Sequence, residues 1–321
     1  MKKTNIIKTK FGNVQGYIND GLEIFKGIPY AASPIGSSRF NPPIEKEPWN
    51  DVLNATEFGP YALQGYTPLG EMFGKYDWQN EADCLTVNIW TPATDNRNRP
   101  VMVYIHGGSF IFGGGADLWF GVDGSALARH GDVVVVTFNY RVGAFGFLYI
   151  PGATANVGML DQIAALRWIH NNIEAFGGDP NNITIFGESA GALAVILLLT
   201  IPNARGLFHK AIAQSAPILD PKPTLNSTKN LMYVLDIKTG NIDALRKISA
   251  KKIIEAQNKI LDRGLRGGTN EIMDFRPSID GNIIPIHPIK ALRKGIGKGI
   301  DLIVGCNHDE VKFWTIVDPK M

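Results

Sequence analysis

Long apolar runs are missing from this sequence. The most extended, Ala190 to Leu199 with one glycine inside it, is too short to span a bilayer, so no membrane-spanning segment is expected. Cysteine is nearly absent. Cys84 and Cys306 are the only two, and both read as buried small thiols rather than reactive groups. Charge of one sign is lacking as well: the formal net charge is +2, no basic run is interleaved with aromatics, and nucleic acid is not an expected partner. The amino terminus carries Lys2, Lys3, Lys8 and Lys10 without the apolar stretch that follows the lysines of a signal peptide, which points to the cytoplasm. Repeats and low-complexity segments are absent too, so the chain reads as one domain over residues 1–321.

What is there suits a large buried core. The chain has 321 residues, 45% of them hydrophobic, enough for a parallel-sheet domain without subdivision. Its most informative stretch runs from Phe176 to Gly191. Ile183, Thr184, Ile185 and Phe186 are a β-branched and aromatic run preceded by the turn cluster Gly177 to Asn182 and followed by Gly187-Glu188-Ser189-Ala190-Gly191. An apolar segment, Ala192 to Leu199, then reads as a buried helix. A serine hydroxyl becomes a useful nucleophile when a strained strand-to-helix turn holds it exposed beside a base. Glycines two before and two after Ser189 suit a place where strand and helix backbones pass too close for a Cβ. The order strand, sharp turn, helix therefore predicts a nucleophile elbow.

Together with Glu81-Ala82-Asp83-Cys84-Leu85-Thr86-Val87-Asn88-Ile89-Trp90, this stretch resembles the two signatures of the type-B carboxylesterase family, which includes cholinesterases and bacterial para-nitrobenzyl-type esterases. The resemblance implies an α/β-hydrolase fold, a mostly parallel central sheet with flanking helices, and cleavage of carboxylic esters through an acyl-serine intermediate. It makes Ser189 the nucleophile. Val101 to Ile105 reads as a strand feeding His106-Gly107-Gly108-Ser109-Phe110, and the resemblance assigns the oxyanion hole to the N–H groups of Gly107 and Gly108 with that of Ala190. His106, beside these donors, suits a structural histidine rather than a base. The strand Leu302 to Gly305 and the loop Cys306-Asn307-His308-Asp309-Glu310 resemble the family's acid segment, which makes Glu310 the triad acid. The family's catalytic histidine lies well beyond that acid. All six histidines of this chain precede Glu310, so no catalytic histidine is assigned.

The rest of the chain is read around these segments. Thr9 to Gly16 and Leu22 to Gly27 read as a hairpin turning at Asn19-Asp20-Gly21. Asp132 to Phe138 reads as a central parallel strand. Asn156 to Ala175 carries apolar residues at helical spacing and reads as the crossover helix to the Ile183 strand, with His170 on its surface or behind the site. Arg141 is expected to be a buried, paired charge. Ala211 to Ser215 reads as the next strand, and about 220–270 resembles the family's cap-like helical insertion, with helical stretches at Ile242 to Ile248 and Ile253 to Ile260. The loop from Ala62 to Asn80, with Tyr66, Phe73, Tyr76 and Trp78, either roofs the pocket as in the family or packs as an ordinary loop. In secreted members the cysteine at position 84 pairs with an upstream one, and no cysteine precedes Cys84 here, in keeping with a reducing compartment.

The expected substrate is a small neutral ester, from the apolar neighbourhood of Phe110, Phe112, Trp119 and Phe120. No metal or cofactor is expected. Lacking the family's last strand, carboxy-terminal helical region and histidine, the chain reads as a truncated form with little activity alone, leaving an open sheet edge and exposed apolar surface near Phe313 and Trp314. Two alternatives stand beside this: a non-catalytic binding protein on the same fold, and a half-enzyme completed by a separate carboxy-terminal polypeptide.

Overall fold

The computed structural model describes residues 2–65, 78–116, 123–217, 225–267, 275–310 and 312. Short strands open the chain: β1 (Lys2–Lys3), β2 (Ile7–Lys8), β3 (Asn13–Gln15) and β4 (Tyr17–Asn19), then the longer β5 (Leu22–Pro29) and the short β6 (Leu53–Asn54). The central elements follow as β7 (Thr86–Thr91), β8 (Arg99–Ile105), helix α1 (Ser125–Gly131), β9 (Val134–Phe138), the short α2 (Gly143–Phe147), α3 (Val157–Asn172), β10 (Gly178–Glu188), α4 (Ala190–Thr200) and β11 (Lys210–Gln214). Three helices, α5 (Leu225–Val234), α6 (Ile242–Lys247) and α7 (Ala250–Gly267), come next, then α8 (Pro288–Arg293) and β12 (Asp301–Gly305).

Among the described residues, nine strands form one sheet in the order β1-β4-β5-β7-β9-β8-β10-β11-β12, and β2, β3 and β6 form a second. From β9 to β12 every pairing is parallel, whereas β7 joins β9 antiparallel and the amino-terminal strands continue in that manner. The sheet is thus mostly parallel where long connections cross it and antiparallel where the chain returns directly. Val134, Val136, Val101, Val103, Ile183 and Ile185 are fully buried, because helices cover both faces of the parallel part. α4 is buried almost all round, with only Ile196 partly exposed. This matches a helix that is apolar on every side. α7 instead buries Ile253, Ala256, Gln257, Ile260 and Leu261 on one stripe, and Leu231, Met232 and Leu245 bring α5 and α6 into the same core.

Several expectations need correction. The amino-terminal hairpin turns at Asp20-Gly21, both left-handed (φ 48° and 78°), but its first arm is Tyr17–Asn19, which pairs with Leu22–Ile24. Within Thr9 to Gly16, Asn13–Gln15 pairs with Ile7–Lys8 and Leu53–Asn54 in the second sheet, and Gly16 then passes β5 so closely that a Cβ would stand 2.1 Å from the Ile24 carbonyl oxygen. Cys84 is buried and its thiol is pushed up to about 12 by burial. Cys306, by contrast, is exposed, since β12 is the sheet's outer strand and its residues are all exposed. Among the described residues no helix is long and apolar enough to cross a membrane. The loop aromatics Tyr66, Phe73 and Tyr76, as well as Trp119, Phe120, Phe313 and Trp314, lie outside the described residues.

Candidate active site

Strand register brings the chemistry-bearing segments to one rim of the sheet. Gly187 pairs with Ile105, Glu188 with Gln214, and Gln214 with Gly305. The residues that follow these pairs, His106, Ser189, Ser215 and Cys306, therefore leave the sheet side by side at the carboxyl ends of parallel strands. Open parallel sheets bind ligands at this end.

Ser189 sits between β10 and α4 at φ 54°, ψ −121°, a conformation that costs a non-glycine residue of order 1–3 kcal/mol and needs surrounding structure to hold it. Its N–H donates to the Gln214 carbonyl (3.0 Å) and its carbonyl accepts from Leu193 (3.0 Å), tying one end to β11 and the other to the helix. The flanking glycines are sterically required. A Cβ on Gly191 would stand 2.1 Å from the Ile105 carbonyl oxygen, and one on Gly187 would stand 2.6 Å from the Gly191 carbonyl carbon. The turn is a nucleophile-elbow geometry.

Gly107 lies against this elbow: a Cβ there would be 2.9 Å from the Glu188 carbonyl oxygen and 3.6 Å from Ser189 Cβ. Gly108 has φ 94° and folds onto Phe112, whose carbonyl oxygen would be 2.1 Å from an added Cβ. Among the described residues no hydrogen bond uses the N–H of Gly107, Gly108 or Ala190. Ala190 opens α4, where the helix dipole leaves its positive end and its N–H groups have no intrahelical acceptor. Gly107 and Ala190 thus lie beside Ser189, and Gly108 follows Gly107 in the same loop.

His106 is not positioned as a base. Its ring stacks on Tyr140 with centroids 4.1 Å apart, Nδ1 meets the Gly107 carbonyl at 2.9 Å, and the Tyr140 hydroxyl donates to the His106 carbonyl at 2.9 Å. Burial pushes its pKa down to about 4, partly opposed by the bond to Gly107. The ring is a neutral, structural group, with Nε2 buried and, among the described residues, without a hydrogen-bond partner.

Glu310 lies on an exposed loop and accepts the Asn307 N–H at 2.6 Å. It is near enough to Glu188 for its charge to act there: burial, then the Glu310 charge, raise the Glu188 pKa. No hydrogen bond among the described residues joins a histidine to Glu310 or to Ser189. His308 contacts Asp309 (3.3 Å) on the exposed acid loop. His209 opens β11 at the opposite rim, where Nδ1 accepts from Ile183, and its pKa is lowered by burial and by nearby His170. His130 ends α1 and His287 caps α8. Ser189, Gly107, Gly108, Ala190 and Glu310 all follow the carboxyl ends of these strands, and among the described residues no histidine is bonded to Ser189 or Glu310.

Arg141 is the buried, paired charge expected. It donates to Asp161 through Nε (2.7 Å) and Nη2 (2.6 Å), and its backbone N–H does so at 3.0 Å. Burial opposes its charge, and Asp161 outweighs burial to hold the guanidinium above its ordinary range. Phe110 and Phe112 are almost wholly buried, and Phe110 packs against Phe147 with centroids 5.0 Å apart. They support the donor loop from behind instead of offering open apolar walls. Gln64, Asn139 and Tyr140, whose bonds fix this loop, carry no local sequence signal of that role, because each partner is distant in the chain. No group of three or more His, Cys, Asp and Glu suited to a metal occurs among the described residues.

The model of the Carboxylesterase family matches residues 3–320. The para-nitrobenzyl esterase of Bacillus subtilis (strain 168) is 41% identical over 314 residues, covering 95% of this chain and 63% of that relative. Phenmedipham hydrolase of Pseudarthrobacter oxydans is 38% identical over 320 residues, 98% of this chain and 64% of the relative. Among solved structures, the carboxylesterase EST55 of Geobacillus stearothermophilus superposes with a TM-score of 0.88 at 41% identity, covering 99% of this chain and 64% of that one. The chain spans less than two thirds of the length of each of these relatives.

Proposed function

This chain belongs to the carboxylesterase family, and from that premise we propose that its site cleaves small neutral carboxylic esters through an acyl-serine intermediate. The observation that carries the reading is the strained Ser189 backbone (φ 54°) set against glycine donors whose N–H groups no described bond occupies. Ser189 Oγ attacks the ester carbonyl carbon. The carbonyl oxygen becomes an oxyanion that accepts from Gly107, Gly108 and Ala190, donors already fixed before charge develops. The ester C–O bond breaks, the alcohol leaves with the proton lost from Oγ, and water then attacks the acyl carbon, giving one proton back to Ser189 as the acid is released. Glu310 is the acid that orients the base and stabilises its charged form.

The proton on Oγ needs an acceptor, and no hydrogen bond among the described residues joins any of the six histidines to Ser189. We therefore propose that these 321 residues alone hydrolyse esters slowly, Ser189 attacking with solvent as the proton acceptor and the donors still meeting the oxyanion, and that full rate needs a histidine supplied from outside them. A cytoplasmic setting and a cap formed by α5 to α7 belong to the same reading.

Hydrolysis of a short activated ester by this chain, beside Ser189→Ala, tests the proposal. The expected result is slow turnover that Ser189→Ala abolishes. Equal rates in both proteins would remove Ser189 from the chemistry. Fast turnover, lost on replacing His106 or His308, would place the base within this chain.

A further inference from the structure

The loop that carries the glycine donors is under backbone strain. After Gly107, Gly108 has φ 94°, Ser109 56° and Phe110 62°, and Gly113 has φ 108°. Two consecutive non-glycine residues in the left-handed region do not hold themselves there. The loop's internal bonds, from the N–H groups of Ile111 and Phe112 to the Gly108 carbonyl (2.9 and 3.0 Å), close one turn. The Phe110 carbonyl accepts from Gly143 at 2.7 Å. The far limb is gripped from elsewhere.

Gln64 supplies the grip. Its Oε1 accepts the Gly113 N–H at 2.8 Å and its Nε2 donates to the Gly113 carbonyl at 3.1 Å, so one buried side chain closes on both polar groups of a residue 49 positions away. Nε2 also donates to the Ala62 carbonyl at 3.0 Å, and the Gln64 N–H is held by Gln79 Oε1 at 2.9 Å. Gln64 is 3% exposed. Gly113 in turn touches the donors: a Cβ on it would stand 2.9 Å from the Gly107 carbonyl oxygen and 2.6 Å from His106 Nδ1. The Gly107 carbonyl and the Gly108 N–H belong to one peptide group, so the Gly113 limb lies against a donor-bearing unit.

We infer that Gln64 is a positioning residue for the oxyanion donors, acting through Gly113 and not touching substrate. The inference rests on the ester-hydrolase reading above. Only a side chain with one acceptor and one donor at the amide's spacing can clamp both Gly113 groups. Gln64→Leu removes both bonds and frees the limb. Gln64→Glu keeps the shape, but as a carboxylate it can only accept and faces the Gly113 carbonyl with negative charge. Protonated, it again offers one O–H donor and one acceptor.

The test uses phenylboronic acid, because its adduct needs the donors but no leaving group. Ser189 Oγ forms a bond to boron, the serine proton goes to the buffer, and the tetrahedral boronate carries the negative charge that the donors would meet. Affinity is read by titration and the tetrahedral species by boron NMR, at a temperature where melting curves show every variant folded. The expected results are a tetrahedral signal that Ser189→Ala abolishes and about tenfold weaker affinity in Gln64→Leu, a fraction of the loss that follows deletion of a donor. For Gln64→Glu, affinity relative to the parent protein at the same pH is weak near pH 8 and recovers to within about twofold near pH 5, once the buried carboxyl is protonated. Unchanged affinity in Gln64→Leu, or a Gln64→Glu deficit that does not recover, overturns the inference while leaving the ester-hydrolase reading in place. A parent protein with no Ser189-dependent tetrahedral signal overturns both.

Discussion

The two ends of the proposed catalytic rim are built differently. At the β8–β10 end, His106, Gly107, Ser189 and Ala190 are fixed by backbones so close that a Cβ on Gly187 or Gly191 would force them apart, with buried strands on both sides. At the β12 end, Glu310 stands on an exposed loop, and Leu302, Ile303 and Val304 are 41%, 65% and 62% exposed. Ser189 and the proposed donors are thus held by packing internal to the described core, whereas Glu310, the proposed acid, is held by one parallel pairing of its strand to β11 and a bond to Asn307. Substitutions at the first end should act mainly through stability, and those at the second should hardly affect it.

The largest effect is expected beneath the buried end. Arg141→Met leaves the Asp161 carboxylate, fully buried, without its cation, and should cost about 3–5 kcal/mol in denaturant unfolding. Replacing both residues by apolar ones should recover much of that loss, since the uncompensated charge dominates the cost. A loss below about 1 kcal/mol in the single variant would mean that this half of the rim is less tightly constrained than its geometry implies.

Acid should weaken the same end through His106. Its folded pKa of about 4 lies below the ordinary histidine value of 6.5, so in this window the unfolded chain binds the proton first. Stability is then full above about pH 6.5 and falls as pH drops towards 4, by about 3 kcal/mol in total. Unfolding of the parent and of His106→Gln across this range isolates the contribution: the difference in their pH slopes should approach one proton. Equal slopes would mean that the ring is solvated and not sealed against Tyr140.

Gly187→Ala is a smaller and more local test. The new methyl group would meet the Ile105 carbonyl oxygen at 2.7 Å and the Gly191 carbonyl carbon at 2.6 Å, so strand and helix must part slightly. Overpacking of this kind costs about 1–3 kcal/mol, and thermal unfolding should register it. Because the parting occurs at the turn that carries Ser189, any serine-dependent turnover should fall by more than the folded fraction does.

How far the sequence disclosed this arrangement follows from the same contrast. The elbow was legible because its requirements are local: a β-branched strand, glycines at fixed offsets and an apolar helix. The paired Arg141 and the structural His106 were legible from their neighbours. The clamp of Gln64 on Gly113 was not, since nothing near either residue names the other. The hairpin's first arm was misplaced because the close approach of Gly16 to β5 is a tertiary contact. The exposure of Cys306 was missed for a related reason. An apolar strand such as Leu302 to Val304 reads as buried from its composition, but burial depends on what lies beside and over it.

The smallest effect is expected at that strand. Ile303→Thr keeps a β-branched side chain on β12 and removes little buried contact, because Ile303 is 65% exposed. Its pairing with Ile212 uses backbone bonds that the substitution leaves intact. Exposed positions away from special features shift stability by less than about 0.5 kcal/mol, and equilibrium unfolding of these 321 residues should show no more than that. Threonine also makes the sheet's outer strand less apolar, so sedimentation at high concentration should show equal or less self-association. A loss above about 1 kcal/mol would mean that Ile303 is covered in solution. The acid end would then be packed much like the nucleophile end, and the contrast between them would not hold.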